Sequence, residues 1–162
     1  MRFVEVNEPG AVRGSKNMAK AKILIVEDEA VVALAIQTQL VRLGFEVVAT
    51  CDSGREAIQT TAEAPPDLVM MDIKINGDMD GVDTAKHIRS VFDVPVVYLT
   101  SYSDDATLER AKVTEPFGYL LKPFDDLTLK TTIEMALHKH KMETARKEMT
   151  SGIIERLIKE RK

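Results

Sequence analysis

The stretch Lys22-Ile-Leu-Ile-Val-Glu-Asp-Glu29 decides how the rest of the chain is read. Its first half is a short continuous apolar run without alternation, as a strand buried on both faces of a parallel sheet requires. Its second half places three carboxylates just where that strand ends. Working outward, the period switches back and forth. Ala30 to Leu43 reads as a helix, with Val31, Leu34, Ala35, Thr38, Val41 and Leu43 as its apolar stripe and Gly44 at the stop position. Phe45 to Ala49 is a second strand. Ser53, with Glu56 three residues on, forms a capping box for a helix to about Glu63, and Pro65-Pro66 ends it. Asp67 to Asp72 is a third strand, followed by a loop to Gly81 and a helix to about Ser90. Val94 to Thr100 is a fourth strand, and Asp104 can cap a helix to about Val113. Phe117 to Leu121 is a fifth, and a last helix starts near Asp125.

Five strands alternating with five helices predict a doubly wound α/β fold: a five-stranded parallel sheet with helices on both faces, because right-handed crossovers put them there. In that architecture chemistry gathers outside the carboxyl ends of the strands.

Composition narrows the function. The chain has 162 residues, 44% apolar and 30% charged, the balance of one soluble globular domain. No apolar run approaches the roughly 20 residues of a membrane span, so membrane insertion is excluded, and no secretory signal is evident. The single cysteine, Cys51, excludes an intramolecular disulfide and a cysteine-rich zinc site. A reducing, cytoplasmic setting is expected, with Cys51 as a buried structural thiol. There is no Trp, which disfavours a base-stacking surface. The net charge of −4 is unevenly spread: residues 138–162 carry eight Lys/Arg against four Asp/Glu, whereas 21–137 carry ten against twenty. An acidic body disfavours DNA phosphates and anionic lipid, so no direct DNA binding is expected.

The strand ends carry the chemistry. Strand one ends in Glu27-Asp28-Glu29, strand three in Asp72, strand four in Thr100-Ser101 and strand five in Lys122-Pro123. Crowded carboxylates repel one another and tend to hold protons. A divalent cation and the Lys122 charge would restore the ionised state, and a hard cation taking oxygen ligands means Mg²⁺. An ionised aspartate beside such a cation can attack phosphorus in line, with metal and lysine neutralising the transferring oxygens. A Mg²⁺-dependent, phosphoryl-accepting site on Asp72 follows, with the Thr100 hydroxyl able to bond the new group.

Glu27-Asp28, Asp72, Thr100 and Lys122-Pro123 stand in the order and spacing of the receiver domains of two-component response regulators, and residues 21 to 140 closely resemble that family. The resemblance implies a flavodoxin-like sheet of strand order 2-1-3-4-5. It makes Asp72 the phosphoacceptor, charged by a sensor histidine kinase or phosphotransfer protein. Asp28 and Asp72 would bind Mg²⁺, with Glu27 acting through a water and Lys74 giving its backbone carbonyl. Lys122 would pair with phosphoryl oxygens, its bond to Pro123 cis. Ser101 would offer a backbone amide, Thr100 would be the switch hydroxyl and Tyr119 the aromatic that moves with it. A downstream protein would read the face of the fourth helix, fifth strand and fifth helix. The loop Ile73-Lys-Ile-Asn-Gly-Asp-Met-Asp-Gly81 departs from the family pattern, lacking a proline and carrying one residue more and an extra Gly. Lys74 and Tyr102 are placed to obstruct a hydrolytic water, which predicts a long-lived phospho-state.

Three other readings stay open. A receiver-fold binding module could act without phosphorylation. An aspartyl-phosphate phosphohydrolase would want a second acid two residues after the nucleophile, where Lys74 stands, so the chain is expected to act on its own phosphoryl group only and not as an enzyme. A flavin-binding protein would need a hydroxyl-rich loop after strand one. In domain terms, residues 1–20 read as a poorly ordered extension, 21–141 as the receiver and 142–162 as a helical extension or linker without an output domain. Met135, Met142 and Met149 recur at sevens before Ile153, Ile154, Leu157 and Ile158. Partner contact or a homodimer through this segment competes with a frayed exposed tail, which Thr150-Ser151-Gly152 favours.

Overall fold

The computed structural model describes residues 20–101 and 104–161, so the N-terminal extension and Tyr102 lie outside the described residues. Strand β1 (Lys22–Val26) leads to helix α1 (Ala30–Arg42), β2 (Glu46–Cys51), α2 (Gly54–Glu63), β3 (Leu68–Asp72) and α3 (Gly81–Phe92). The second half is β4 (Val96–Thr100), α4 (Asp105–Lys112), β5 (Gly118–Leu121) and α5 (Asp126–Glu160). All pairings are parallel, in the order β2-β1-β3-β4-β5. This is the expected doubly wound sheet. All its strands except β1 begin one or two residues later than the sequence suggests, the usual uncertainty of element ends.

Successive strand residues feed opposite cores, which is why β1 and β3 lack polar alternation. Leu24, Val26, Val69, Met71, Val96 and Tyr98 meet Ala57, Val82, Ala85, Ile88 and Ala111 on one side. Ile23, Ile25, Leu68, Met70, Val97, Leu99 and Leu120 meet Ile36, Leu40, Leu129, Ile133 and Ala136 on the other. Side-chain caps fix the helix entries: Ser53 accepts from the Glu56 N–H, Asp80 from the Asp83 N–H and Asp125 from the Thr128 N–H. In the capping box Glu56 reaches back to the Asp52 N–H (3.0 Å), one residue further than the motif's usual partner.

One expectation is corrected. Helix α1 turns Ala33, Ile36 and Leu40 to the sheet and leaves Val31, Leu34 and Val41 at 81%, 63% and 59% exposure. The helix is apolar on both sides, so periodicity alone did not fix its phase, and the small Ala33 allows the close approach. The C-terminal segment is helical and exposed: α5 runs unbroken from Asp126 to Glu160, across the 141/142 boundary and through Thr150-Ser151-Gly152. Glu143 with Lys147, and Glu155 with Lys159, have the Glu-before-Lys spacing of four that supports a helix on either side of that weak point.

Candidate functional site

The sheet brings four strand ends to one cleft. β1 ends in Glu27 and Asp28, β3 in Asp72, β4 in Thr100, and β5 hands over to Lys122, whose N–H continues the ladder to the Thr100 carbonyl (2.8 Å). Asp28, Glu29, Asp72, Lys74, Asn76, Ser101, Asp104 and Lys122 line the opening. The Lys122 ammonium stands 3.1 Å from Glu27 Oε1 and 3.1 Å from Asp72 Oδ2. The Lys122–Pro123 bond is cis, as expected.

Carboxylate oxygens of Glu27, Asp28 and Asp72 lie within 4.8 Å of one another. The donor set is all oxygen and so suits a hard divalent cation. The crowding has an electrostatic signature. Glu27 is 2% exposed, and burial first, then its hydrogen bond and repulsion with Asp72, push its pKa up to about 7, against the opposing Glu29 N–H and Lys122. Lys122 responds in the other sense. Burial disfavours its charge, but Asp72 and Glu27 outweigh that and raise its pKa above the ordinary lysine value. A trio whose most buried member holds a proton near neutrality is short of positive charge, which is the electrostatic condition a cation site requires.

The loop after β3 is built to hold these acids in place. Asp72 Oδ1 accepts the Lys74 N–H (3.0 Å), and Asp28 Oδ2 accepts the Asn76 N–H (3.0 Å). Ile73 and Ile75 are buried and anchor the loop between those bonds. The longer loop turns at Gly77, whose φ of +121° disfavours any residue with a side chain. It then closes at Gly81, where a Cβ would run into the Asp72 and Ile73 carbonyls. Asp78 is tied to Arg55 (2.7 Å) and Asp80 to Arg110 (2.8 Å).

The structure also locates the groups flanking the acids. Thr100 is 5% exposed, and its hydroxyl faces the Ser101 carbonyl and Asp104 Oδ2, each at 3.3 Å. Tyr119 is 38% exposed on the outer strand, its ring stacked on buried Tyr98 with centroids 6.0 Å apart. The Tyr98 hydroxyl is bonded to Thr114 Oγ1 (2.9 Å), which ties that ring to the end of α4.

One participant was not expected from the sequence in this role. Asp104 precedes α4 at the cap position but makes no side-chain cap bond to that helix. Its carboxylate turns back instead. Oδ2 accepts the Ser101 N–H (2.7 Å) and Ser101 hydroxyl (3.1 Å), and Oδ1 pairs with the Lys74 ammonium (3.1 Å). Burial opposes its ionisation, but the Ser101 and Lys74 bonds prevail and hold its pKa below the ordinary aspartate value. A polar residue four positions after a strand-end Thr was the only trace of this in the sequence.

An acid trio, a lysine and a hydroxyl lie at the carboxyl edge of a 2-1-3-4-5 sheet, and residues 23–134 match the response regulator receiver domain family. The chain belongs to that family. It is 35% identical over 136 residues to the transcriptional regulatory protein PdtaR of Mycobacterium tuberculosis, covering 84% of this chain and 66% of that one. It is 34% identical to the transcriptional regulatory protein ZraR of Escherichia coli, covering 80% of this chain and 30% of ZraR. The chain thus spans only part of these relatives. Among solved structures, the signal receiver domain of a modulated diguanylate cyclase from Desulfovibrio desulfuricans G20 superimposes with a TM-score of 0.74 at 40% identity, covering 77% of this chain and 99% of that one. No helix among the described residues is long and apolar enough to cross a membrane.

Proposed function

We propose that the chain is a phosphorylation-driven switch in which Asp72 accepts a phosphoryl group from a phosphohistidine on a sensor histidine kinase or phosphotransfer protein. The observation that carries this reading is the Lys122 ammonium bridging Asp72 and Glu27 at 3.1 Å each, beside a third carboxylate, Asp28. An Asp72 carboxylate oxygen attacks phosphorus in line. The O–P bond forms as the P–N bond to the partner's imidazole breaks, and the electron pair stays on that nitrogen. Lys122 pairs with the Asp72 carboxylate, then with the phosphoryl oxygens. Thr100 and the Ser101 amide supply neutral donors to the same oxygens.

Asp28 and Asp72 would hold Mg²⁺ through carboxylates and Lys74 through its carbonyl, with Glu27 one step removed. When bound, Mg²⁺ neutralises charge on the transferring phosphoryl group. The same Lys74, which lines the cleft, supports a slow loss of the phosphoryl group. Transfer is to the chain's own aspartate, so no substrate is turned over.

Exposed Leu34 of α1 shares a hollow with Glu27 and Asp28 and offers a docking surface to the phosphoryl donor. On the opposite flank Lys112, Tyr119, Lys139 and Glu143 line one hollow across α4, β5 and α5. That is the face on which a downstream protein would sense Thr100 and Tyr119. The seam of Met142, Met149, Ile153 and Leu157 extends it, for a partner or a homodimer. The relatives are transcriptional regulatory proteins, which makes a regulatory output the natural destination of the signal.

Intact mass after incubation with Mg²⁺ and acetyl phosphate tests the reading. One adduct of about 80 Da is expected, dependent on Mg²⁺ and lost in Asp72→Asn. A folded wild-type protein that takes no adduct would leave the phosphorylation-independent binding module as the better account.

A further inference from the structure

Asp104 occupies donors that a phosphorylated Asp72 needs. Its Oδ2 accepts from the Ser101 N–H at 2.7 Å, the Ser101 hydroxyl at 3.1 Å and the Thr100 hydroxyl at 3.3 Å, while its Oδ1 holds Lys74 at 3.1 Å. The carboxylate is 5% exposed and lines the same cleft as Asp72 and Lys122. A buried carboxylate held by an amide, two hydroxyls and an ammonium fills a built anion site, and its bonds are of the charge-assisted, stronger kind. A phosphoryl group on Asp72 would bring close to two further negative charges and three acceptor oxygens into that cleft. Two anions cannot share the Ser101 N–H, and their repulsion in a partly buried cleft is large.

We infer that Asp104 is a positioning residue that acts as an internal competitor of the phosphoryl group: it holds Thr100 and Ser101 in the resting arrangement and must release them for the phosphorylated arrangement to form. This rests on the reading of Asp72 as acceptor. The consequence reaches the output side directly. Asp104 is the residue from which α4 departs, its carbonyl accepting the Leu108 N–H (2.8 Å) and its N–H bonding the Ser101 carbonyl (3.2 Å). Expelling its carboxylate from the cleft therefore reorients the first turn of α4. It also frees the Lys74 ammonium to follow the new negative charge. The switch is then an exchange of one anion for another on the same donors.

A passive brace makes the opposite prediction. If Asp104 only shapes the β4–α4 turn, removing its charge loosens the donors and weakens anion binding. If it competes, removing its charge strengthens binding.

The probe is beryllofluoride with saturating Mg²⁺, titrated into wild type, Asp104→Asn and Asp104→Ser and followed by amide and carboxyl resonances. Asp104→Asn should bind about tenfold more tightly, the size of one charge-assisted bond replaced by a neutral one. In wild type the Asp104 carboxyl resonance and the Ser101 amide should shift together as the probe saturates. This second readout needs no variant to fold. Equal or weaker binding by both variants, or a wild-type Asp104 carboxyl that stays fixed while Ser101 moves, would overturn the competition and leave Asp72 as acceptor. Wild type that saturates at no concentration, with its spectrum otherwise native, would overturn the acceptor reading and this inference with it.

Discussion

Glu27 makes the stability of the metal-free protein depend on pH in an unusual direction. Its pKa is about 7 when folded, against 4.5 for the free side chain, so between those values the folded state holds a proton that the unfolded state has lost. Stability rises with pH only where the unfolded state binds more protons. Here the reverse holds, and the contribution is intact below pH 4.5 and lost as pH climbs through 7. The gap of 2.5 pH units, at about 1.4 kcal/mol each, sets a loss of about 3 kcal/mol by pH 8. The other displaced carboxylates, Asp78, Asp80, Asp104, Asp125 and Asp126, are all held below 3.8, so their transitions fall outside this window. Lys122 is displaced upward from 10.5 and falls outside it as well. The perturbation is Glu27→Gln, which keeps the shape and removes the ionisation. Urea unfolding at pH 5, 6, 7 and 8 in the presence of a chelator should give a variant that gains on wild type steadily with pH. Adding Mg²⁺ at pH 8 should close the gap, because a cation replaces the missing positive charge in wild type and binds the variant poorly. A stability difference that stays flat from pH 5 to 8, or that grows toward acid, would refute the claim that Glu27 is held protonated by burial and Asp72.

Leu34→Glu should leave Mg²⁺-dependent labelling by acetyl phosphate unchanged and slow transfer from a phosphorylated histidine kinase at least tenfold, read by the kinetics of radiolabel transfer. Equal slowing with both donors would place the defect at the acids rather than on the α1 surface. Gly81→Ala should destabilise the protein by roughly 2 kcal/mol or more through overpacking against the Asp72 and Ile73 carbonyls, measured by urea unfolding, and should weaken Mg²⁺ binding by displacing Asp72. Ile133→Ala, at 0% exposure, should cost about 2–5 kcal/mol. Ile154→Ala, 51% exposed beyond the body, should stay within about 0.5 kcal/mol, and thermal melts of the pair would compare them.

The sheet and the acids were legible in the sequence for the same reason. A strand buried on both faces has to be apolar throughout, so the first charged residue after it marks its end, and the ends of parallel strands lie along one edge. The pattern of strand ends therefore places Glu27, Asp72, Thr100 and Lys122 together from the sequence alone. The phase of α1 could not, because Val31, Leu34 and Val41 are as apolar as Ile36 and Leu40, and only contact with the sheet distinguishes them. Asp104 was legible as a residue and misleading as a role. An acid before a helix reads as a cap, and nothing local reveals that the Ser101 N–H and Lys74 outcompete the helix amides for it. The length of α5 lay beyond propensity arguments as well, since the weak Thr150-Ser151-Gly152 point sits inside the continuous helix.

These observations bear on what kind of switch a small charge can throw. Both lysines at the cleft are already paired, Lys122 with Glu27 and Asp72, Lys74 with Asp104. A phosphoryl group entering such a site gains only the difference between its own bonds and those it displaces. The balance between the two arrangements is therefore set by a few exchanged hydrogen bonds, a scale of a few kcal/mol that a covalent phosphate can tip. The mechanical output does not need to be large at its source. Helix α5 is clamped to the sheet by Leu129, Ile133 and Ala136, all at 0% exposure, and then projects without a break to Glu160. At 1.5 Å per residue its exposed part from Met142 is roughly 27 Å long, so a tilt of a few degrees at β5 displaces its far end by about an ångström or more. An uninterrupted helix would transmit such a displacement, whereas a frayed tail would absorb it.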